Sequence, residues 1–97
     1  MREVRTLPSA EADLAAIAIY TKERWGIEQA QKYLSGLRAD IESLTRFPPM
    51  HPSHRSAHGE FRKAASGHHL VFYQIDDASI TVVRVLHERM DFDEALG

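Results

Sequence analysis

The chain has 97 residues, 43% hydrophobic and 27% charged, a balance that suits one modest soluble core and excludes intrinsic disorder. A formal net charge of −2 with six neutral histidines argues against partners held by phosphate neutralisation, so no direct nucleic-acid binding is expected. No cysteine is present, which rules out disulfides and thiolate metal sites, and no apolar run approaches the roughly 18 residues of a membrane helix. The opening MREVRTLPSAEADL lacks the apolar centre of a signal peptide, and a cytoplasmic protein is the expectation.

In chain order, Arg2 to Leu7 reads as a short first strand at a sheet edge, ending at Pro8. Ser9 is the expected N-cap of a first helix from Ala10 to about Arg24, with Glu11 and Asp13 near the positive end of its dipole. Leu14, Ile17, Ala18 and Thr21 share one face of it, and Trp25-Gly26 breaks it, with glycine suited to a left-handed turn. Ala30, Tyr33, Leu34, Leu37, Ile41 and Leu44 then recur at helical spacing as one continuous stripe. Phe47-Pro48-Pro49 is expected to stop this second helix. Two helices joined by so little chain must fold back as a hairpin, leaving one broad apolar face to be covered.

Pro49 to Gly59, PMHPSHRSAHG, reads as a loop. Glu60 to Ala65, His69 to Ile75 and Ile80 to His87 read as strands, with turns at Ser66-Gly67-His68 and Asp76-Asp77-Ala78-Ser79. Asp91 followed by Glu94 has capping-box spacing and predicts a last helical turn to Leu96. The order β-α-α-β-β-β implies an α+β fold over residues 1–97 as a single domain. A two-helix hairpin would pack on a small, mainly antiparallel twisted sheet.

Three groups of residues are candidates for function. His51, His54 and His58, with His68 and His69 further on, raise a zinc reading. Pro52 interrupts any helix through the first three and no carboxylate lies among them, so solvated loop histidines are the better account and no metal is expected. Tyr73, His87, Arg62 and Arg84 could form a nuclease surface, with acid–base groups beside arginines that stabilise a developing phosphorane. The simpler reading makes Tyr73 a half-buried strand residue and gives Arg62 or Arg84 to Glu60, Asp76 or Asp77. The third candidate is the end of ITVVRVLHERMD, where an apolar strand delivers His87, Glu88, Arg89, Met90 and Asp91 together.

Taken together, SAEADLAAIAIYTKERWGIEQAQKYL, EFRKAASGHHLVFYQI and ITVVRVLHERMD resemble the ParE branch of the RelE/ParE toxin superfamily, from about Leu7 to Leu96. The most specific pieces are Val85 to Asp91, Ala12-Asp13-Leu14 and Trp25-Gly26. The resemblance implies the toxin half of a bacterial type II toxin–antitoxin pair that inhibits DNA gyrase by binding, with no catalysis, no cofactor and a ParD-like antitoxin as partner. A RelE-type, ribosome-dependent endoribonuclease using His87, Tyr73, Arg62 and Arg84 is the alternative, although this chain lacks the basic sheet of that branch. A non-toxic interaction module is a third. On this reading Tyr20, Trp25 and Tyr33, near the open side of the hairpin, are the expected antitoxin contacts, and His87, Glu88, Arg89, Met90 and Asp91 the target contacts. The segment after His87 is expected to dock only weakly against the helices, so that deleting Arg89 to Gly97 should remove toxicity and leave the fold.

Overall fold

Gly26 fixes the first corner of the molecule. In the computed structural model, which describes residues 2–46, 53–56 and 59–96, it is the single residue between helix α1 (Pro8–Trp25) and helix α2 (Ile27–Glu42). Its φ of 91° and ψ of 169° lie in a region open essentially to glycine alone, rather than in the left-handed helical region a simple C-cap would use. Its N–H closes the last turn of α1 on the Lys22 carbonyl, and its own carbonyl accepts the N–H of Ala30. Helix α1 begins two residues before the expected start. Pro8, with φ preset for helix, takes the first position after Leu7, and Ser9 is drawn inside the first turn. Helix α2 gives way at Ser43–Thr45 to a 3-10 turn, ahead of the prolines, whose own expected stop at Phe47-Pro48-Pro49 lies outside the described residues. The predicted stripe is the buried one: Ala30, Leu37, Ile41 and Leu44 are buried, with Tyr33 and Leu34 packed beside them.

The sheet has five strands in the order β1-β5-β4-β3-β2, where β1 is Glu3–Thr6, β2 Ser53–Ser56, β3 Gly59–Ser66, β4 His69–Ile75 and β5 Ser79–His87. Strands β3, β4 and β5 form the expected antiparallel meander; β1 lies at the edge, parallel to β5. The α+β architecture is as the pattern predicts, with one addition. Strand β2 lies inside the stretch read as a loop, because Ser-His-Arg-Ser has neither alternation nor β-branched residues and owes its conformation to pairing with β3.

Alternation along the strands sorts the core into two layers. Val71, Tyr73, Ile80, Val82 and Val85 face the helix hairpin with Leu14, Leu37 and Ile41. Phe61, Phe72 and Leu86 face the other way, where a short helix, α3 (Phe92–Leu96), covers them with Phe92, Ala95 and Leu96. The Phe72 and Phe92 rings lie 4.9 Å apart at 59°. The tail therefore docks on the sheet face opposite the helices, not on the helices themselves. Asp91 caps it as predicted, its Oδ1 accepting the Glu94 N–H at 3.2 Å.

Strand β5 carries the irregularity that seats α1. Phe72 pairs with Arg84 but Tyr73 pairs with Val82, so Val83 is an extra residue in β5 and the strand bulges there. Strand β1 has by then left the sheet, its last bond running from the Leu7 N–H to the Val82 carbonyl. Side chains of α1 take over the ladder. The Ser9 hydroxyl donates to the Val83 carbonyl at 2.7 Å, and Asp13 Oδ2 accepts the Val85 N–H at 2.9 Å.

Candidate functional site

Beyond Asp13 the helix and the strand diverge, and a groove of about 610 Å³ opens between them. Asp13, Ala16, Ile17 and Tyr20 of α1 form one wall, and Arg84, Val85, Leu86 and His87 of β5 the other, with His69, Arg89 and Met90 at the far end. Both walls are about 10 Å long, seven helical steps against three strand steps. At the near end Arg84 grips Asp13 with two bonds, Nε to Oδ2 at 2.7 Å and Nη2 to Oδ1 at 3.0 Å, and its third nitrogen donates to the Ala95 carbonyl at 3.2 Å. The bonds and charge of Asp13 raise the Arg84 pKa further above its ordinary value, against the opposing effect of burial, and the guanidinium stays charged.

At the far end the Tyr33 hydroxyl ties α2 to the β3–β4 hairpin. It accepts the His68 N–H at 3.0 Å and bonds His69 Nδ1 at 2.6 Å. Gly67, at a φ of 59°, passes so close that a Cβ there would lie 2.6 Å from the same hydroxyl, which together with the positive φ demands glycine. The His69 ring meets the His87 ring edge-on at 5.2 Å, and His68 pairs with Glu88 at 3.1 Å. Burial, then the neighbouring His87 and His68, hold the His69 pKa below its ordinary 6.5, with Glu88 pulling weakly the other way. A depressed histidine pKa means that the unfolded chain binds the proton more readily than the folded one. Stability from this group is thus complete above pH 6.5 and is lost as pH falls through the folded value. Thermal melts between pH 8 and pH 5 should show this loss, and His69→Gln should flatten it; an unchanged slope in that variant would assign the loss elsewhere.

Comparison with known proteins places the chain. Residues 4–92 match the family described as ParE toxin of type II toxin-antitoxin system, parDE. The chain is 37% identical over 97 residues to Toxin ParE1 of Caulobacter vibrioides, with all of both chains covered. It is 38% identical over 90 residues to Toxin ParE1 of Mycobacterium tuberculosis, covering 92% of each. The chain belongs to the ParE toxin family. Among solved structures, the chromosomal ParDE system from P. aeruginosa shares the fold at a TM-score of 0.78 and 18% identity, covering 90% of this chain and 96% of that one. YafQ from E. coli shares it more loosely, at 0.53 and 15%, with 91% and 94% covered. As a ParE toxin this chain is one half of a type II toxin–antitoxin system. Among the described residues, no helix is long and apolar enough to cross a membrane.

The ParE fold disperses the nuclease candidates. Tyr73 is fully buried, not half-buried, and burial pushes its phenol up to about 12 against the opposing pull of Arg62. Arg62 is its cross-strand neighbour, and both line a separate cavity of about 530 Å³. His87 pairs with His69, four residues and about 13 Å along β4 from Tyr73. Arg84 is held by Asp13, and not by Glu60, Asp76 or Asp77; Asp76 instead caps its own turn, accepting the Ala78 and Ser79 N–H groups. Of the metal candidates, His51, His58 and the His54 side chain lie outside the described residues, and among those described no three ligands are placed to hold an ion.

Tyr20 and Trp25 are exposed on α1, edge-to-face at 6.3 Å, with the Arg24 guanidinium over both rings. Tyr33 is half-buried and committed to the hairpin turn. His87 ends β5, Glu88 and Arg89 form the turn after it, Met90 is 45% exposed, and Asp91 caps α3. Sequence reasoning missed Ala16 and Ile17 as groove wall and Asp13 as its anchor. Asp13 had an adequate local explanation in the helix dipole, and nothing in the sequence links it to a strand residue 71 positions away.

Proposed function

We propose that this ParE toxin acts in the cytoplasm by binding DNA gyrase, performs no chemistry of its own, and is neutralised by a ParD-like antitoxin whose C-terminal segment lies in the α1–β5 groove. The groove carries this reading: it is open, walled by Ala16, Ile17, Val85 and Met90, and long enough for two turns of helix or a short extended segment. Tyr20 lines it and Trp25 lies on the same helix beyond it, so both are assigned to the antitoxin, while Tyr33 shapes the end of the groove from behind. The His87–Asp91 segment is assigned to the target. Arg89 and Met90 also line the groove, so an antitoxin seated there would cover part of the target surface, and neutralisation would follow by occlusion. The scatter of Tyr73, Arg62, Arg84 and His87 over two sites supports inhibition by binding over RNA cleavage. The test adds the purified chain to gyrase supercoiling reactions and to translating ribosomes in parallel, with and without the product of the adjacent reading frame. Loss of supercoiling with intact mRNA, reversed by that product, is expected; cleaved mRNA would establish the nuclease instead.

A further inference from the structure

The far end of the groove has a chemistry that its apolar walls do not explain. Both imidazoles there have their Nδ1 atoms turned to the protein. His87 Nδ1 accepts the Arg89 N–H at 3.1 Å. His69 Nδ1 lies 2.6 Å from the Tyr33 hydroxyl, whose other acceptor, the Ser66 carbonyl, is at the weak distance of 3.5 Å, so we assign the single hydroxyl proton to His69. These bonds assign the proton of each neutral ring to Nε2, leaving one N–H donor per ring as its remaining polar group. Arg89 is at the same end. Across the whole lining, Arg84 and Arg89 face Asp13 alone, two positive charges against one, and Arg84 and Asp13 cancel each other at the near end. Glu88, next to Arg89 in the chain, is turned to His68 at 3.1 Å. The far end is thus a place with two ring N–H donors and a guanidinium that makes no ion pair among the described residues, beside an apolar floor.

We propose that this end of the groove takes a carboxylate, an aspartate or glutamate side chain that directly follows the apolar stretch of the antitoxin segment. The inference rests on the reading that this segment fills the groove, and it adds the chemistry that fixes its register. Apolar walls alone would let a segment slide, whereas a carboxylate held by His69, His87 and Arg89 at one end sets where each apolar residue falls. The antitoxins that fit are those with an apolar-then-acidic order along the segment; a basic residue at that place would meet Arg89.

The experiment uses synthetic peptides tiling the product of the adjacent reading frame, titrated against the full chain by calorimetry. Each binding peptide is made again with its acidic residues changed singly to Asn or Gln. Ile17→Arg in the toxin should abolish binding, and failure of every peptide to bind, or indifference to Ile17→Arg, would overturn the groove reading and this inference with it. Given binding, one neutralised acidic residue should weaken the peptide about tenfold against the unaltered toxin. Against His87→Phe, which keeps an aromatic ring without its N–H, or against Arg89→Gln, the same change should cost less than about twofold, since each variant has already lost half of the pair. Arg89 is exposed, so its variant stays informative if His87→Phe fails to fold. Peptides that bind the groove but lose affinity equally on original and variant toxins would overturn the carboxylate site and leave the groove reading intact.

Discussion

Deleting Arg89 to Gly97 is expected to unfold the protein, not to silence a folded one. Phe61, Phe72 and Leu86 are at most 3% exposed, and Phe92 and Leu96 of α3 pack against them. Returning a buried aromatic or leucine side chain to water costs about 1.5–3 kcal/mol, so stripping this face forfeits roughly 4–8 kcal/mol once partial exposure is allowed for. A domain of this size has on the order of 5–15 kcal/mol in all. The Arg84 bond to the Ala95 carbonyl goes as well. Circular dichroism of the truncated chain should show no cooperative melt, or one displaced by 20 °C or more on the usual scaling of roughly 4–8 °C per kcal/mol. The milder Leu96→Ala should cost about 2–4 kcal/mol with the transition still cooperative. A truncated chain melting within a few degrees of the parent would show that α3 is a cover the sheet does not need.

Asp13→Ala is expected to cost about 3 kcal/mol, far more than any other change to a charged residue of α1. The side chain receives two bonds from Arg84 and one from the Val85 backbone, and is only 16% exposed. Removing it strands a partly buried guanidinium and an N–H at the bulge, and breaking a buried pair from one side typically costs 3–5 kcal/mol. The 28% exposure of Arg84 sets the estimate at the lower end. Urea unfolding of Asp13→Ala, Arg84→Ala and the double variant should give a double-variant loss well below the sum of the two singles. Strict additivity would show that the two act separately. The exposed pairs Arg5–Glu3 at 3.6 Å and Arg38–Glu11 at 3.4 Å should contribute no more than about 0–1 kcal/mol each, and less in high salt.

These two expectations mark where the sequence could and could not be read. Whatever depends on spacing within one element was legible: the stripe from Ala30 to Leu44, the meander and the Asp91 cap. The family resemblance, carried by Val85–Asp91 and Trp25-Gly26, was legible too. What was not legible depends on contacts across the chain. SHRS becomes β2 only because β3 lies beside it, and Ser9 gives up a cap because the bulge at Val83 offers it a carbonyl. Phe92 and Leu96 looked too few to matter because the sheet face they cover cannot be counted from the tail alone. The groove itself escaped notice for the same reason. Its walls are Ile17 and Val85, ordinary core residues until the divergence of α1 from β5 leaves a space between them.

The joining of α1 to β5 also has a consequence for synthesis. Glu3–Thr6 and the Ser9 and Asp13 side chains find their partners between Ser79 and Val85, more than seventy residues later. While the ribosome is still making the meander, the helix hairpin has its apolar stripe but no strand to seat against, and such distant pairings close last. Neither wall of the groove can be set until β5 has emerged. A nascent chain that stops short of Ser79–Val85 therefore has no such groove to offer.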